Sequence, residues 1–126
     1  MLAVDTSAWI EWLIDTPTGM AVGSELPPLD QWLVPTMVQL ELAKWARREG
    51  TEKQFQNLLA FAQKCVVVPL DSRLALAAAE IASRHKLATA DAAIYATARA
   101  HGAGLLTCDA HFADLPGVRF IRKVAS

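Results

Sequence analysis

The stretch ATADAAIYATARAHGAGLLTCD, residues 88–109, sets one helix directly before one strand and decides the fold class. Thr89 offers a hydroxyl cap, Asp91, Ile94, Tyr95 and Ala98 follow at helical spacing, and Gly102 stops the helix just after His101. Leu105-Leu106-Thr107-Cys108 then reads as a buried strand that ends on Asp109. The same alternation runs outward in both directions. Toward the N-terminus, Ser72 begins an Ala-rich helix to about His85, preceded by the apolar run Cys65 to Pro69. Helices are expected over Glu52 to Gln63 and from Thr36 to Glu49, the latter stopped by Gly50, with a weaker strand at Gln31 to Val34. Leu2-Ala3-Val4 is a strand, followed by a helix from Thr6-Ser7 to Ile14 and a short one over Thr18 to Leu26. Val118 to Ile121 is the last strand. Strands alternating with helices predict an α/β fold, a three-layer α/β/α sandwich around a central, mainly parallel sheet. Twenty-three alanines suit helices packed closely on such a sheet.

Composition narrows the function classes. A chain of 126 residues, 53% hydrophobic and 20% charged, predicts one domain over residues 1–126 and excludes intrinsic disorder. No transmembrane span is expected, because the longest strictly apolar run, Leu74 to Ala79, falls far short of the roughly 20 residues a bilayer requires. Asp5 interrupts the N-terminal apolar stretch and no basic segment precedes it, so no secretory signal is expected. Cys65 and Cys108 read as small buried side chains of a cytoplasmic protein. The net charge of −1 argues at first against a nucleic-acid partner.

Four acids stand out by position. Asp5 and Asp109 each end a strand, where parallel sheets bind ligands, although an Asp there also begins turns and caps helices. On the helix from Thr36, Val38, Leu42 and Trp45 form the apolar stripe, and Glu41 lies about 60° from Val38 at its margin. Asp91 sits in a first turn, where the helix dipole favours an acid, yet on the face shared with Ile94, Tyr95 and Ala98. Two carboxylates about 5 Å apart repel by roughly 3 kcal/mol at an effective dielectric of about 20, so converging acids must hold protons or a cation. An all-oxygen set points to Mg²⁺ or Mn²⁺. His85, His101 and His111 are scattered and read as surface or helix-end residues.

Val4-Asp5-Thr6-Ser7-Ala8, Val38-Gln39-Leu40-Glu41-Leu42, Ala88 to Ala98 and Leu105 to Phe112 together resemble the PIN domain. The similarity is greatest to the VapC-type toxins of prokaryotic toxin–antitoxin pairs, and it covers essentially the whole chain. It implies a metal-dependent endoribonuclease in which Asp5, Glu41, Asp91 and Asp109 are catalytic and hold one or two Mg²⁺ or Mn²⁺ ions that activate water against an RNA phosphodiester. Asp5 and Asp91 are expected as direct ligands; Glu41 and Asp109 act through water or complete a second site. Ser7 and Thr107 are candidates for orienting a carboxylate or water, or are a helix cap and a strand-end hydroxyl. Tyr95 is read as core packing.

Setting the four acids aside leaves nine acids against twelve bases, a balance of +3, which removes the charge objection. Lys44, Arg47, Arg48 and Lys53 cluster, with Arg73, Arg84 and Arg99 elsewhere, as an RNA track or as a solvated surface. Trp9, Trp12 and Leu13 cannot all face one narrow stripe; the resemblance implies a groove on the first helices for a cognate antitoxin. It also implies a homodimer, through the helix of Trp45 or the helix 72–85. Two other readings stay open: a PIN-type RNA-processing nuclease without an antitoxin, and a receiver-like phosphoacceptor. The second wants an acidic pair after the first strand and a Lys at the end of a late one, whereas Asp5 has no adjacent acid and no Lys follows Leu105 to Cys108 at once.

Overall fold

Leu2, Ala3 and Val4 have no side chain able to face water with profit, and all three are buried as the central strand β1 (Leu2–Val4). The computed structural model describes residues 1–124; the last two residues of the expected 1–126 domain lie outside the described residues. After β1 come α1 (Thr6–Leu13), α2 (Pro17–Glu25), β2 (Trp32–Pro35), α3 (Thr36–Glu49) and α4 (Glu52–Gln63). Then follow β3 (Val66–Val68), α5 (Ser72–His85), α6 (Thr89–Ala100), β4 (Gly104–Thr107) and β5 (Val118–Phe120). The sheet is parallel throughout, in the order β3-β2-β1-β4-β5.

This order creates a switch point. From β1 the chain steps outward to β2 and then β3, then returns to place β4 on the other side of β1. Right-handed crossovers therefore put α1 to α4 on one face and α5 and α6 on the other, which makes the expected three layers. Beyond the carboxyl ends of β1 and β4 the loops diverge and leave a crevice, the usual ligand position in open α/β sheets. Receiver-like domains have the order 2-1-3-4-5. The order found here is different, which removes the phosphoacceptor reading.

Element boundaries move by a residue at several places. The helices expected to be capped by Thr6-Ser7, Thr36, Ser72 and Thr89 have Asp5, Pro35, Asp71 and Ala88 as their N-cap residues. The hydroxyl residues lie inside the first turn. Thr36 is employed elsewhere: its Oγ1 accepts the Leu70 N–H at 3.0 Å. β4 runs from Gly104 to Thr107, because its register is set by pairing Gly104 with Leu2 and Leu106 with Val4. Cys108 falls outside the ladder.

Close packing has local causes. α2 lies against α1 at Gly19, where a β-carbon would come within 2.0 Å of the Glu11 carbonyl oxygen, so only glycine permits the approach. Trp9, Trp12, Trp32 and Phe61 pack in one aromatic cluster, with Trp9 fully buried at 4.7 Å from Trp32 between centroids. The suspected surplus aromatic, Trp12, is half-buried at its edge. Tyr95 is core as expected, its hydroxyl donating to the Pro116 carbonyl at 2.7 Å. Cys65 and Cys108 are both buried free thiols, and burial pushes each up to about 11. Among the described residues no helix is long and apolar enough to cross a membrane.

Candidate metal centre

Asp5 follows β1 directly, and its backbone N–H donates to the Leu106 carbonyl at 2.9 Å, extending the β1–β4 ladder by one residue. Its side chain is drawn inward, leaving the residue only 3% exposed. Ser7 Oγ donates to Asp5 Oδ2 at 2.7 Å and Thr107 Oγ1 donates to the same oxygen at 2.8 Å. Each hydroxyl has one hydrogen, so both are committed to this carboxylate. Both oxygens then accept: Ser7 Oγ from the Cys108 N–H at 3.0 Å, and Thr107 Oγ1 from the Asp109 N–H at 2.9 Å. The start of α1 and the end of β4 are thereby locked around one acid. Burial raises the Asp5 carboxyl above its ordinary range, the two hydroxyls oppose the rise, and Asp109 adds to it.

The other acids arrive from three further segments. Glu41, on the second turn of α3, receives a hydrogen bond from Thr6 Oγ1 at 2.6 Å. Asp91, the third residue of α6, is half-buried. Burial, then the charges of Asp109, Asp5 and Glu41, push its carboxyl up to about 6, with His111 pulling the other way. Asp109 begins the turn after β4, where Oδ1 accepts the His111 N–H at 2.9 Å and lies 3.0 Å from His111 Nδ1.

All four acids line one open cleft of about 280 Å³ at the switch point, together with Glu11 and Lys123. At this cleft, one donor atom each from Asp91, Asp109 and the neighbouring His111 lie within 4.8 Å of one another. Two hard carboxylates with two more acids close by are an oxygen donor set that fits a divalent cation of the Mg²⁺ or Mn²⁺ type, and the His111 imidazole lies beside it. The mutual repulsion that adds to the effect of burial on Asp91 is the stress such a cation relieves.

The PIN domain family model matches residues 2–118. The chain belongs to the PIN domain family. Solved structures agree with this PIN assignment. A toxin–antitoxin complex from Klebsiella pneumoniae is 22% identical with a TM-score of 0.85, covering 98% of this chain and 100% of that one. FitAcB from Neisseria gonorrhoeae is 25% identical with a TM-score of 0.71, over 94% of this chain and 96% of its own. VapC20 from Mycobacterium tuberculosis, a toxin that cleaves the sarcin–ricin loop, is 19% identical with a TM-score of 0.75, over 94% and 97%. Among curated proteins no sequence matches the chain.

Sequence reasoning on this PIN domain brings Asp5, Glu41, Asp91 and Asp109 to the same cleft, but the tight donor triple differs from the expected pairing. It joins Asp91 to Asp109 and His111, while Asp5 lies beside it under its hydroxyl clamp. His111 was expected as a surface residue and is indeed exposed, yet one of its ring nitrogens belongs to the donor triple with Asp91 and Asp109. The signal was its place two residues after Asp109, where a short 3-10 turn (Ala110–Phe112) folds it back over that acid. His85 and His101 do end their helices, as read. Thr6 and Lys123 were also missed. Thr6 was read only as a helix cap, and Lys123 is far from every acid along the chain.

Proposed function

We infer that this single PIN domain is a Mg²⁺- or Mn²⁺-dependent endoribonuclease of the cytoplasm, the toxin of a toxin–antitoxin pair, with Asp5, Glu41, Asp91 and Asp109 as its catalytic, metal-holding residues. The observation that carries the reading is the convergence of these four acids, from four separate segments, on one cleft at the sheet's switch point. Burial first, and then repulsion from the other three acids, leaves Asp91 poised at about 6, a disposition that suits cation binding.

When bound, the cation supplies Lewis-acid polarisation of a phosphoryl oxygen and lowers the pKa of water. Asp91 and Asp109 would hold it, with His111 beside them; Asp5 and Glu41 complete the charge around it. Ser7 and Thr107 keep Asp5 in one rotamer, and Thr6 does the same for Glu41, so the acids need no rearrangement when substrate arrives. Ser7 and Thr107 thus act by orienting a carboxylate.

The toxin reading is supported by the whole-length likeness to proteins solved as toxin–antitoxin complexes. It is also supported by an apolar groove of about 660 Å³ where the ends of α1 and α3 meet α4, lined by Trp12, Leu13, Ile14, Trp45, Leu58 and Phe61. A helix of an antitoxin would lay its apolar face there. Exposed Leu40 on α3 and Leu76 on α5 suit the homodimer contact.

Purified protein incubated with single-stranded RNA is expected to cut it with Mg²⁺ or Mn²⁺ and to stop with EDTA. Asp5→Asn is expected to lose both cleavage and, when expressed without antitoxin, growth arrest. Cleavage that persists in EDTA, or an unchanged Asp5→Asn, overturns the metal-site assignment.

A further inference from the structure

The C-terminal strap after β5 brings a basic pair to the acid cleft. It is pinned on both sides: the Ile121 N–H donates to the Thr107 carbonyl at 2.8 Å, and the Val124 N–H donates to Thr18 Oγ1 at 2.8 Å. Thr18 is itself fully buried on α2, so the second anchor is firm. Between these two points the backbone has little freedom, and Arg122 and Lys123 are carried across the carboxyl end of the sheet. Lys123 lines the cleft of the four acids. It also lines, with Arg122 and half-buried Phe120, an adjoining open cleft of about 510 Å³ whose other wall is Ser7, Cys108 and Asp109.

Among the described residues no ion pair ties down Arg122 or Lys123, although four carboxylates are close by. The two bases remain available to an anion, and the acid cleft beside them is where a phosphodiester would be cut. An aromatic ring next to two cations is the arrangement that holds an unpaired nucleotide, the ring taking the base and the cations the backbone. A paired base has no free face to offer Phe120.

We propose that Phe120, Arg122 and Lys123 form a nucleotide subsite for single-stranded RNA, in which Lys123 and Arg122 hold the phosphate next to the one that is cut and Phe120 stacks the attached base. The inference rests on the ribonuclease reading above. It adds that the strap sets the register of the substrate strand relative to the acids.

The test compares wild type with Lys123→Met, Lys123→Arg and Phe120→Ala. Steady-state cleavage of a short single-stranded RNA is measured, together with fluorescence-anisotropy binding of the same oligonucleotide to proteins that also carry Asp91→Asn. Lys123→Met is expected to raise KM roughly tenfold with kcat little changed, since a charge-assisted contact made in both ground and transition state is lost. Its slope of log affinity against log salt is expected to fall by about 0.7, one phosphate contact on a single strand. Lys123→Arg retains most of the affinity, and Phe120→Ala weakens binding without changing the salt slope. If Lys123 only balances the acids, Lys123→Met tightens Mn²⁺ binding and leaves RNA affinity and salt slope unchanged, which overturns the proposal. Equal binding of a fully paired duplex overturns it too. A wild-type protein that binds no RNA and cuts none brings down the ribonuclease reading itself, an outcome distinct from active wild type with an indifferent Lys123→Met.

Discussion

Helices that open on the acid cleft begin differently from those that start elsewhere. α1, α3 and α6 contribute Thr6, Ser7, Glu41 and Asp91 to the cleft, and none has a side-chain hydrogen bond at its N-cap. α2, α4 and α5 all do. Thr16 accepts the Gly19 N–H at 2.9 Å, Asp71 accepts the Leu74 N–H at 2.9 Å, and Thr51 forms a reciprocal capping box with Gln54. A cap contributes typically about 1 kcal/mol. At α1 the potential cap is present, since Asp5 occupies the N-cap position, but its carboxylate is held instead by Ser7 and Thr107. At α1 the cleft keeps the Asp5 carboxylate for another use and forgoes a helix cap, whereas α2, α4 and α5 each take that stability from a Thr or Asp.

The largest way to break this contrast is at Asp91. Asp91→Ala is expected to lower RNA cleavage on the order of 10²–10³-fold, the usual loss when one preorganised electrostatic group is removed, while the metal-free protein stays folded and gains in Tm as the repulsion around it falls. Single-turnover cleavage beside a thermal melt checks both halves; lost Tm with retained activity would reverse the assignment. Next is Thr107→Val, which keeps the shape but removes the clamp on Asp5 and the acceptor for the Asp109 N–H. Cation affinity read by Mn²⁺ titration is expected to drop about 10–100-fold.

Asp71→Ala probes the other side of the comparison. Loss of the α5 cap is expected to cost about 1 kcal/mol, a fall in Tm of roughly 4 °C, with cleavage per folded molecule unchanged. The last test is in pH. Asp91 is raised from 3.8 to about 6 in the fold and Asp5 is raised as well, so the folded protein holds protons that the unfolded chain has already released. Stability of the metal-free protein therefore falls as pH climbs from 3.8 through about 6. Melts at a series of pH values should show this decline, and Asp91→Asn or saturating Mn²⁺ should shrink it; a Tm that climbs across the same window would contradict the repulsion.

Much of the centre was legible one segment at a time. Asp5 and Asp109 declare themselves by ending apolar strands, and Asp91 by sharing a face with Ile94, Tyr95 and Ala98. Each of those signals spans fewer than ten residues, within reach of helical and strand periodicity. The caps lie one residue before the hydroxyl residues that residue type alone points to, and at α1 Thr6 and Ser7 are held by Glu41 and Asp5. His111 was missed because a 3-10 turn, and no periodic element, folds it back over Asp109.

By itself the sequence determined the alternation of strands and helices, the apolar central strand, and four acids, three at a helix start or strand end and Glu41 at the margin of an apolar stripe. These follow from local propensity and patterning, which act over a few residues. Tertiary structure alone decided the strand order that puts β1 beside β4, the union of Ser7 and Thr107 on one oxygen of Asp5, and the delivery of Lys123 to the cleft. Those depend on pairings between residues about a hundred positions apart, such as Thr107 with Asp5 and Val124 with Thr18. Loop-closure entropy opposes such pairings, and only the packed sheet and its helices overcome it.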